Sequence, residues 1–127
     1  MNFINDDGGR RFYFPKSPTG DCVPRAIAIA TNTDYRQVWA ELCDIAKPVG
    51  MFPNENPVWQ RYLINRGWQQ HRLPKPWRSI ALLKISQGIV YCRAGYNVHL
   101  AAIKNGDLYD TWDCRDRLAY SYWSAAE

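Results

Sequence analysis

Apolar residues fill nearly every position of Val23-Pro24-Arg25-Ala26-Ile27-Ala28-Ile29-Ala30, the pattern of a helix buried inside a domain rather than lying on its surface. A proline just inside a helix start is favourable, because its missing N–H would be unpaired there and its fixed φ suits the helix. Cys22 therefore falls at or beside the N-cap. Asn32-Thr33-Asp34 then supplies a stop and a new N-cap, and Tyr35, Val38, Trp39, Leu42, Cys43 and Ala46 recur at helical spacing, so Cys43 belongs to a buried stripe. Residues 47–57 contain three prolines and a glycine and read as a surface loop. A third helix is predicted from Pro57, with Asn56 as N-cap, to Gly67, which suits the left-handed C′ position.

Downstream the period changes. Residues 68–73 read as extended, Pro74-Lys75-Pro76 as a break, and residues 77–85 as a short fourth helix. Residues 89–94 are β-branched and aromatic and predict a strand, with Gly95-Tyr96-Asn97 turning the chain. Residues 98–104 and 107–112 form two further strands around Asn105-Gly106, a strong two-residue hairpin signal. Leu118, Tyr120 and Tyr122 alternate in an edge strand or arm. Upstream, Arg11-Phe12-Tyr13-Phe14-Pro15 reads as an extended stretch packed on the core, and Ser17-Pro18-Thr19-Gly20 as a turn into the first helix. Helices first and strands after make an α+β layout, with the N-terminal buried helix and further helices packed on a C-terminal antiparallel sheet. A chain of 127 residues carries this as one domain, residues 1–127.

Composition narrows the class. With 46% hydrophobic and 14% aromatic residues, this is a chain that builds a packed core. It has no apolar run long enough for a membrane span and no secretory layout at its start, so no membrane partner and a cytoplasmic location are expected, in a host cell if the chain is phage-encoded. Cys22, Cys43, Cys92 and Cys114 lack paired metal spacing and read as free thiols. The net charge of +4 admits an acidic partner, but the basic residues are spread, with small clusters at Arg10-Arg11, between Arg72 and Arg78, and at Arg115 and Arg117. Nucleic acid is therefore the less favoured partner.

A thiol at a helix mouth faces unpaired N–H groups and the positive end of the helix dipole, which favour the thiolate. A base is then needed. His71 lies in a polar stretch and reads as exposed or structural, whereas His99 opens an apolar strand. If Asn105-Gly106 is a two-residue turn, Lys104 faces Asp107, Ala101 faces Asp110 and His99 faces Trp112. Asp110 then lies diagonally from His99 on the same side of the sheet, while Asp113 points the other way. A nucleophilic cysteine needs an imidazole to take its proton and a third group to hold that imidazole in one tautomer. Cys22, His99 and Asp110 meet that description, with Trp112 placed to shield the His99–Asp110 bond.

Gly20-Asp21-Cys22-Val23-Pro24-Arg25-Ala26 resembles the Asp-Gly-Asn-Cys-Leu-Phe-Arg-Ala signature of ovarian-tumour-type deubiquitinases, with Thr19 in place of its aspartate and Pro24 in place of its aromatic residue. Asp110-Thr111-Trp112 resembles the Asn-Ser-Trp of papain-type proteases, and the wider pattern is similar to small papain-fold proteins of bacteria and their phages. The resemblance implies a papain-like fold, Cys22 as nucleophile, His99 as general base and Asp110 as orienting residue. Lys16, not a glutamine, stands six residues before Cys22, so an oxyanion would be held by backbone N–H groups of Gly20, Asp21 and Cys22, helped by Thr19 or Asp21.

The reading is a small intracellular cysteine hydrolase, a peptidase or isopeptidase with a Cys-His-Asp triad, needing no cofactor or metal. Its substrate is a protein or peptide, with a ubiquitin-like or host protein as a candidate by resemblance. The alternative is a non-catalytic papain-fold binding module that holds a host protein or nucleic acid.

Overall fold

The structure is a computed structural model that describes residues 1–17 and 19–126; Pro18, inside the predicted turn, and Glu127 lie outside the described residues. Four helices, α1 (Arg10–Tyr13), α2 (Cys22–Thr31), α3 (Tyr35–Val49) and α4 (Asn56–Asn65), accompany a six-stranded sheet. The strands are β1 (Phe3–Asn5), β2 (Trp68–Arg72), β3 (Gln87–Ala94), β4 (Asn97–Lys104), β5 (Asp107–Asp110) and β6 (Ala119–Ala125), in the order β1-β5-β4-β3-β6-β2. The fold is α+β, but the sheet is mixed: β1 lies parallel to β5, and the other pairs are antiparallel.

Two apolar layers sandwich this sheet, and strand alternation sorts residues between them. Ile89, Leu100 and Ala102 face the helices, where they pack with Ile27, Val38, Leu42, Trp59 and Leu63. Val90, Cys92, Ala101 and Ile103 face the other way, against Ile80, Leu108, Cys114 and Ala119. α2 is the central helix, and every residue from Val23 to Ala30 is buried, as its apolar run requires. Asn32, at φ 51°, closes it, and the Asp34 side chain caps α3 by accepting from the Gln37 N–H at 3.2 Å.

The β4–β5 hairpin turns on Asn105 and Gly106, both at positive φ (52° and 76°), with Lys104 opposite Asp107 and Ala102 opposite Tyr109. Two residues able to adopt that conformation make the tight turn, and the register expected beside it, Lys104 with Asp107, is formed; the pairs expected further out, Ala101 with Asp110 and His99 with Trp112, are not, because β5 ends at Asp110 and the strands part there.

Elsewhere the structure departs from expectation, each time because a side chain or a distant strand supplies what local pattern lacked. The stretch expected to be extended at Arg11-Phe12-Tyr13 is instead the single turn α1. The Asp7 carboxylate accepts from the N–H groups of Gly9 (2.9 Å) and Arg11 (3.2 Å) and so caps it. α3 continues through Pro48 to Val49 instead of yielding to a loop at residue 47. A proline in the last turn forfeits only one hydrogen bond before Gly50, at φ 67°, ends the helix. α4 starts one residue early, with Glu55 as N-cap. The short fourth helix of residues 77–85 reduces to a 3₁₀ turn, Ile80–Leu82. Its backbone is claimed by the facing segment, with Ile80 N–H donating to Arg117 C=O (2.9 Å) and Ala81 N–H to Arg115 C=O (3.0 Å). The C-terminal strand, expected at an edge, lies inside the sheet between β3 and β2, and β1 is too short to be signalled by its pattern. Cys43 is half-buried rather than buried, and Trp39 is exposed.

No helix among the described residues is long and apolar enough to cross a membrane.

Candidate active site

The start of α2, the start of β4 and the end of β5 meet at one end of the sheet. The β4–β5 ladder pairs only residues 102–104 with 107–109, so the two strands part at the end that carries His99 and Asp110. There β5 is held on its other side, Asn5 lying opposite Asp110 and the Asp6 N–H donating to Asp110 C=O at 2.9 Å. His99 Nε2 and Asp110 Oδ2 are 2.5 Å apart, both residues buried. That bond leaves Nδ1 as the ring nitrogen free to face a thiol. Cys22, half-buried at the first position of α2, lies close enough to the His99 ring and the Leu100 N–H for both to lower its pKa. The Trp112 ring lies 4.9 Å from the imidazole centroid, tilted by 45°. Cys22, His99, Asp110 and Trp112 thus come together as the sequence pattern expects.

The electrostatics favour a charged pair. Burial works to raise the Cys22 thiol. The His99 hydrogen bond, the Leu100 N–H and the positive charges of His99 and Arg25 outweigh it, and the pKa ends below the ordinary value. Burial likewise opposes the imidazolium, yet hydrogen bonds with Asp110, Cys114 and Cys22 carry His99 up to about 11. Asp110 is driven up by its burial and more strongly down by His99 and Arg25, so it remains a carboxylate. The same contacts that lower the Cys22 thiol raise the His99 imidazole, so the two titrate as one coupled pair with a bias toward thiolate and imidazolium.

Arg25 is the residue that sequence pattern did not assign. It projects from the apolar helix α2, is buried, and divides its guanidinium between two carboxylates: Nη2 donates to Asp110 Oδ1 at 2.9 Å and Nη1 donates to Asp21 Oδ1. Asp21 Oδ1 also pairs with Arg10 Nη1 at 2.7 Å, and Oδ2 accepts from Tyr35 O–H at 2.8 Å. A continuous polar chain thus runs from Arg10 through Asp21, Arg25 and Asp110 to His99. Gly8, at φ 68°, lets the N-terminal segment pass against α2; a Cβ there would lie 3.0 Å from Arg25 C=O. The available signal was a lone cation in a helix otherwise apolar, three residues beyond Cys22 and four beyond Asp21.

This network corrects one expectation. The Asp21 carboxylate is an acceptor fully engaged by Arg10, Arg25 and Tyr35, so its side chain does not help hold an oxyanion. Thr19 is not brought to Cys22, His99 and Asp110 either: it is exposed, its N–H reaches Ser17 Oγ at 3.4 Å, and with Gly20, Asp21, Pro24 and Tyr35 it lines a cavity of about 250 Å³ whose walls include none of those three residues. What remains for an oxyanion is backbone. Asp21 makes no side-chain cap, and the first N–H groups of α2, at Cys22 and Val23, have no intrahelical acceptor by geometry.

His71 is half-buried, stacked on Tyr122 at 4.6 Å and bonded to Ser124 Oγ at 2.9 Å, a structural role. Asp113 is exposed and pairs with Arg115 at 2.8 Å. Cys114 Sγ lies 3.5 Å from Asp110 Oδ2, and its thiol is pushed up by a hydrogen bond with Cys92 and by burial. Ligand atoms of His99, Asp110 and Cys114 lie within 4.8 Å of one another, a grouping that suits a metal in donor type. A cation there would meet the Arg25 guanidinium on the same carboxylate, so these atoms serve the hydrogen-bond network.

Comparison of the chain with protein-family models, with curated proteins and with solved structures gives no match.

Proposed function

We propose that this chain is a papain-like cysteine hydrolase that cleaves a peptide, isopeptide or other amide bond, with Cys22 as nucleophile, His99 as acid and base, and Asp110 as the residue that orients His99. The observation that carries this reading is the His99 imidazole, buried between the Cys22 thiol and the Asp110 carboxylate at 2.5 Å. A structural histidine needs one partner; a catalytic one needs a nucleophile on one nitrogen and an acceptor on the other. The papain-like assignment rests on the order of parts: a cysteine opening a buried helix, a histidine on a later strand, and a carboxylate across the hairpin.

The Cys22 thiolate adds to the carbonyl carbon, and the oxyanion that forms faces the N–H groups at the start of α2. The imidazolium of His99 gives its proton to the departing amine as the C–N bond breaks, leaving a thioester on Cys22. Water then attacks the thioester while His99, now neutral, takes a proton from it. Collapse releases the acid and restores the thiolate–imidazolium pair. A ubiquitin-like or host protein is the candidate substrate by resemblance, in a cytoplasmic setting.

Iodoacetamide labelling near neutral pH, followed by mass spectrometry of each cysteine peptide, tests the reading. Cys22 is expected to react much faster than Cys43, whose thiol burial and Asp44 push up, and His99→Ala should abolish that preference. Equal labelling of the accessible thiols would leave the non-catalytic binding module as the better account.

A further inference from the structure

Between Asn56 and Gly106 the chain has eight Lys or Arg residues and not one Asp or Glu. Half of these cations gather at the end of the sheet where the triad sits. β4 begins there with His99 and β5 ends there with Asp110; β3 ends there too, with Arg93 opposite Val98, next to His99. The neighbouring β6 starts there, as Arg93 N–H donates to Leu118 C=O at 2.9 Å and Ala119 N–H to Arg78 C=O at 2.9 Å. β2 finishes there with Arg72 opposite Ser121, and the chain runs on through Lys75 to Trp77, which packs on Tyr120 at 4.4 Å. Arg93, Arg78, Lys75 and Arg72 are all exposed, and among the described residues none of them pairs with a carboxylate. Three strand spacings, roughly 14 Å in all, separate β4 from β2, a span that about four or five extended residues cover.

We infer that this row of cations beside the triad is a docking surface for an acidic polypeptide segment of the substrate. The inference rests on the hydrolase reading for the word substrate, and on charge and topology for the surface. Two features favour polypeptide carboxylates over a single-stranded nucleic acid, which also carries negative charge. Binding of single strands relies on aromatic faces open to bases. Here most of those faces are occupied: Lys75 Nζ sits 4.8 Å over the Trp77 ring, Tyr120 lies against both Trp77 and Tyr91, and Tyr122 is stacked on His71, which leaves Tyr96 in the β3–β4 turn as a single open ring rather than a platform. In addition β2 is an edge strand, whose outward N–H and C=O groups suit an extended peptide laid alongside.

The test uses the full chain with Cys22→Ala, so that binding is read without turnover, and fluorescence anisotropy of three labelled probes: a Glu-rich peptide, the same peptide with Gln for Glu, and an oligothymidylate of equal length. The Glu-rich peptide should bind best and weaken as salt shortens the Debye length from about 14 Å to about 7 Å. Neutralising the row (R72Q, K75Q, R78Q and R93Q together) should cost at least about fourfold, the low end for four exposed ion pairs. Neutralising Lys16 and Lys47 elsewhere should cost nothing. Equal binding of the Glu and Gln peptides, or no loss on neutralising the row, overturns the inference; tighter binding of the oligothymidylate replaces it with a nucleic-acid surface. Failure of the hydrolase reading shows up separately, as absence of preferential Cys22 labelling in the unmodified chain. Binding of the Glu-rich peptide would then identify the same row as the contact face of a binding module.

Discussion

Arg25 Nη2 donates to the Asp110 oxygen that His99 does not use, at 2.9 Å, while His99 holds the other at 2.5 Å. Each carboxylate oxygen thus has a separate cationic partner. The arrangement pins the carboxylate plane and, through it, the imidazole. The same guanidinium holds Asp21, the residue before Cys22, so one side chain ties the loop that carries Cys22 to Asp110.

Arg25 should therefore act as a positioning residue. Arg25→Gln is expected to destabilise the protein by about 3 kcal/mol in urea titrations, since it takes one cationic partner from each of two buried carboxylates and leaves Asp21 to Arg10 and Tyr35 and Asp110 to His99. It should also move the pH profile of Cys22 alkylation to higher pH, because a positive charge that favours the thiolate is lost. Arg25→Lys, which keeps the charge but not the fork, should restore most of the profile. A double-mutant cycle separates position from mere stability. If Arg25 works through Asp110, Arg25→Gln adds little to the labelling defect of Asp110→Asn; independent, additive losses would refute it.

Legibility in the chain depends on how local the cause is. The α2 start and the Asn105-Gly106 hairpin are written in adjacent residues, so sequence pattern puts Cys22 at a helix mouth and His99 and Asp110 on one face; that the two halves belong together follows from the base a thiol needs and from the resemblance. Sequence pattern does not bring in Arg25, whose partners are Asp21 nearby and Asp110 eighty-five residues away. Position in the sheet is similarly non-local. The alternation of Leu118, Tyr120 and Tyr122 marks a strand, but only the pairing of β6 with both β3 and β2 makes it an inner one. α1 depends on an aspartate cap that periodicity does not weigh, and the 77–85 segment yields its helix because its N–H groups at Ile80 and Ala81 donate to the carbonyls of Arg117 and Arg115.

The His99–Asp110 bond should appear in stability as a function of pH. A Cys22→Ala background removes the thiolate, leaving the imidazolium and its carboxylate. His99 is raised from 6.5 to about 11, so the folded state binds its proton more tightly than the unfolded state. Its contribution is complete below pH 6.5 and is lost as pH climbs above that, over a window that closes short of 11 because the Cys22 contact, one cause of that value, is absent in this background. Urea titrations of Cys22→Ala should lose up to about 1.4 kcal/mol per pH unit inside that window relative to Cys22→Ala/His99→Gln, in which the proton is absent. Asp110, whose pKa is lowered, has the opposite sign: its contribution is complete above about pH 4 and is lost as pH falls through its folded value. Parallel curves for the two variants above pH 6.5 would contradict the assignment.

Trp112, its ring 4.9 Å from the imidazole, should protect the His99–Asp110 bond from water. Trp112→Ala is expected to cost about 2 kcal/mol of stability, less than a fully buried tryptophan because the ring is half-exposed. Solvent exchange of the His99 Nε2 proton, followed by NMR, should speed up, and the labelling advantage of Cys22 should shrink without vanishing. Trp112→Phe should recover most of both. An exchange rate unchanged by Trp112→Ala would mean that the ring packs on the histidine without shielding it.

The hairpin that brings Asp110 back beside His99 turns at Asn105, six residues beyond His99. Gly106 sits at φ 76°, where an L side chain is strained, and its surroundings are open: a Cβ there meets nothing within 4 Å. Gly106→Ala therefore isolates backbone conformation from crowding, and its expected cost is about 1 kcal/mol. Because one residue of slip would turn Asp110 to the opposite face, a shifted register abolishes Cys22 selectivity, whereas a strained turn in the native register leaves it intact. The core on both faces of the hairpin, Leu100 and Ala102 on one side and Ala101, Ile103 and Leu108 on the other, opposes any slip. Gly106→Ala is thus expected to lower the urea midpoint while preserving the labelling ratio of Cys22 to Cys43. A collapse of that ratio in protein that remains folded would show that the turn, rather than the buried strands, maintains the triad.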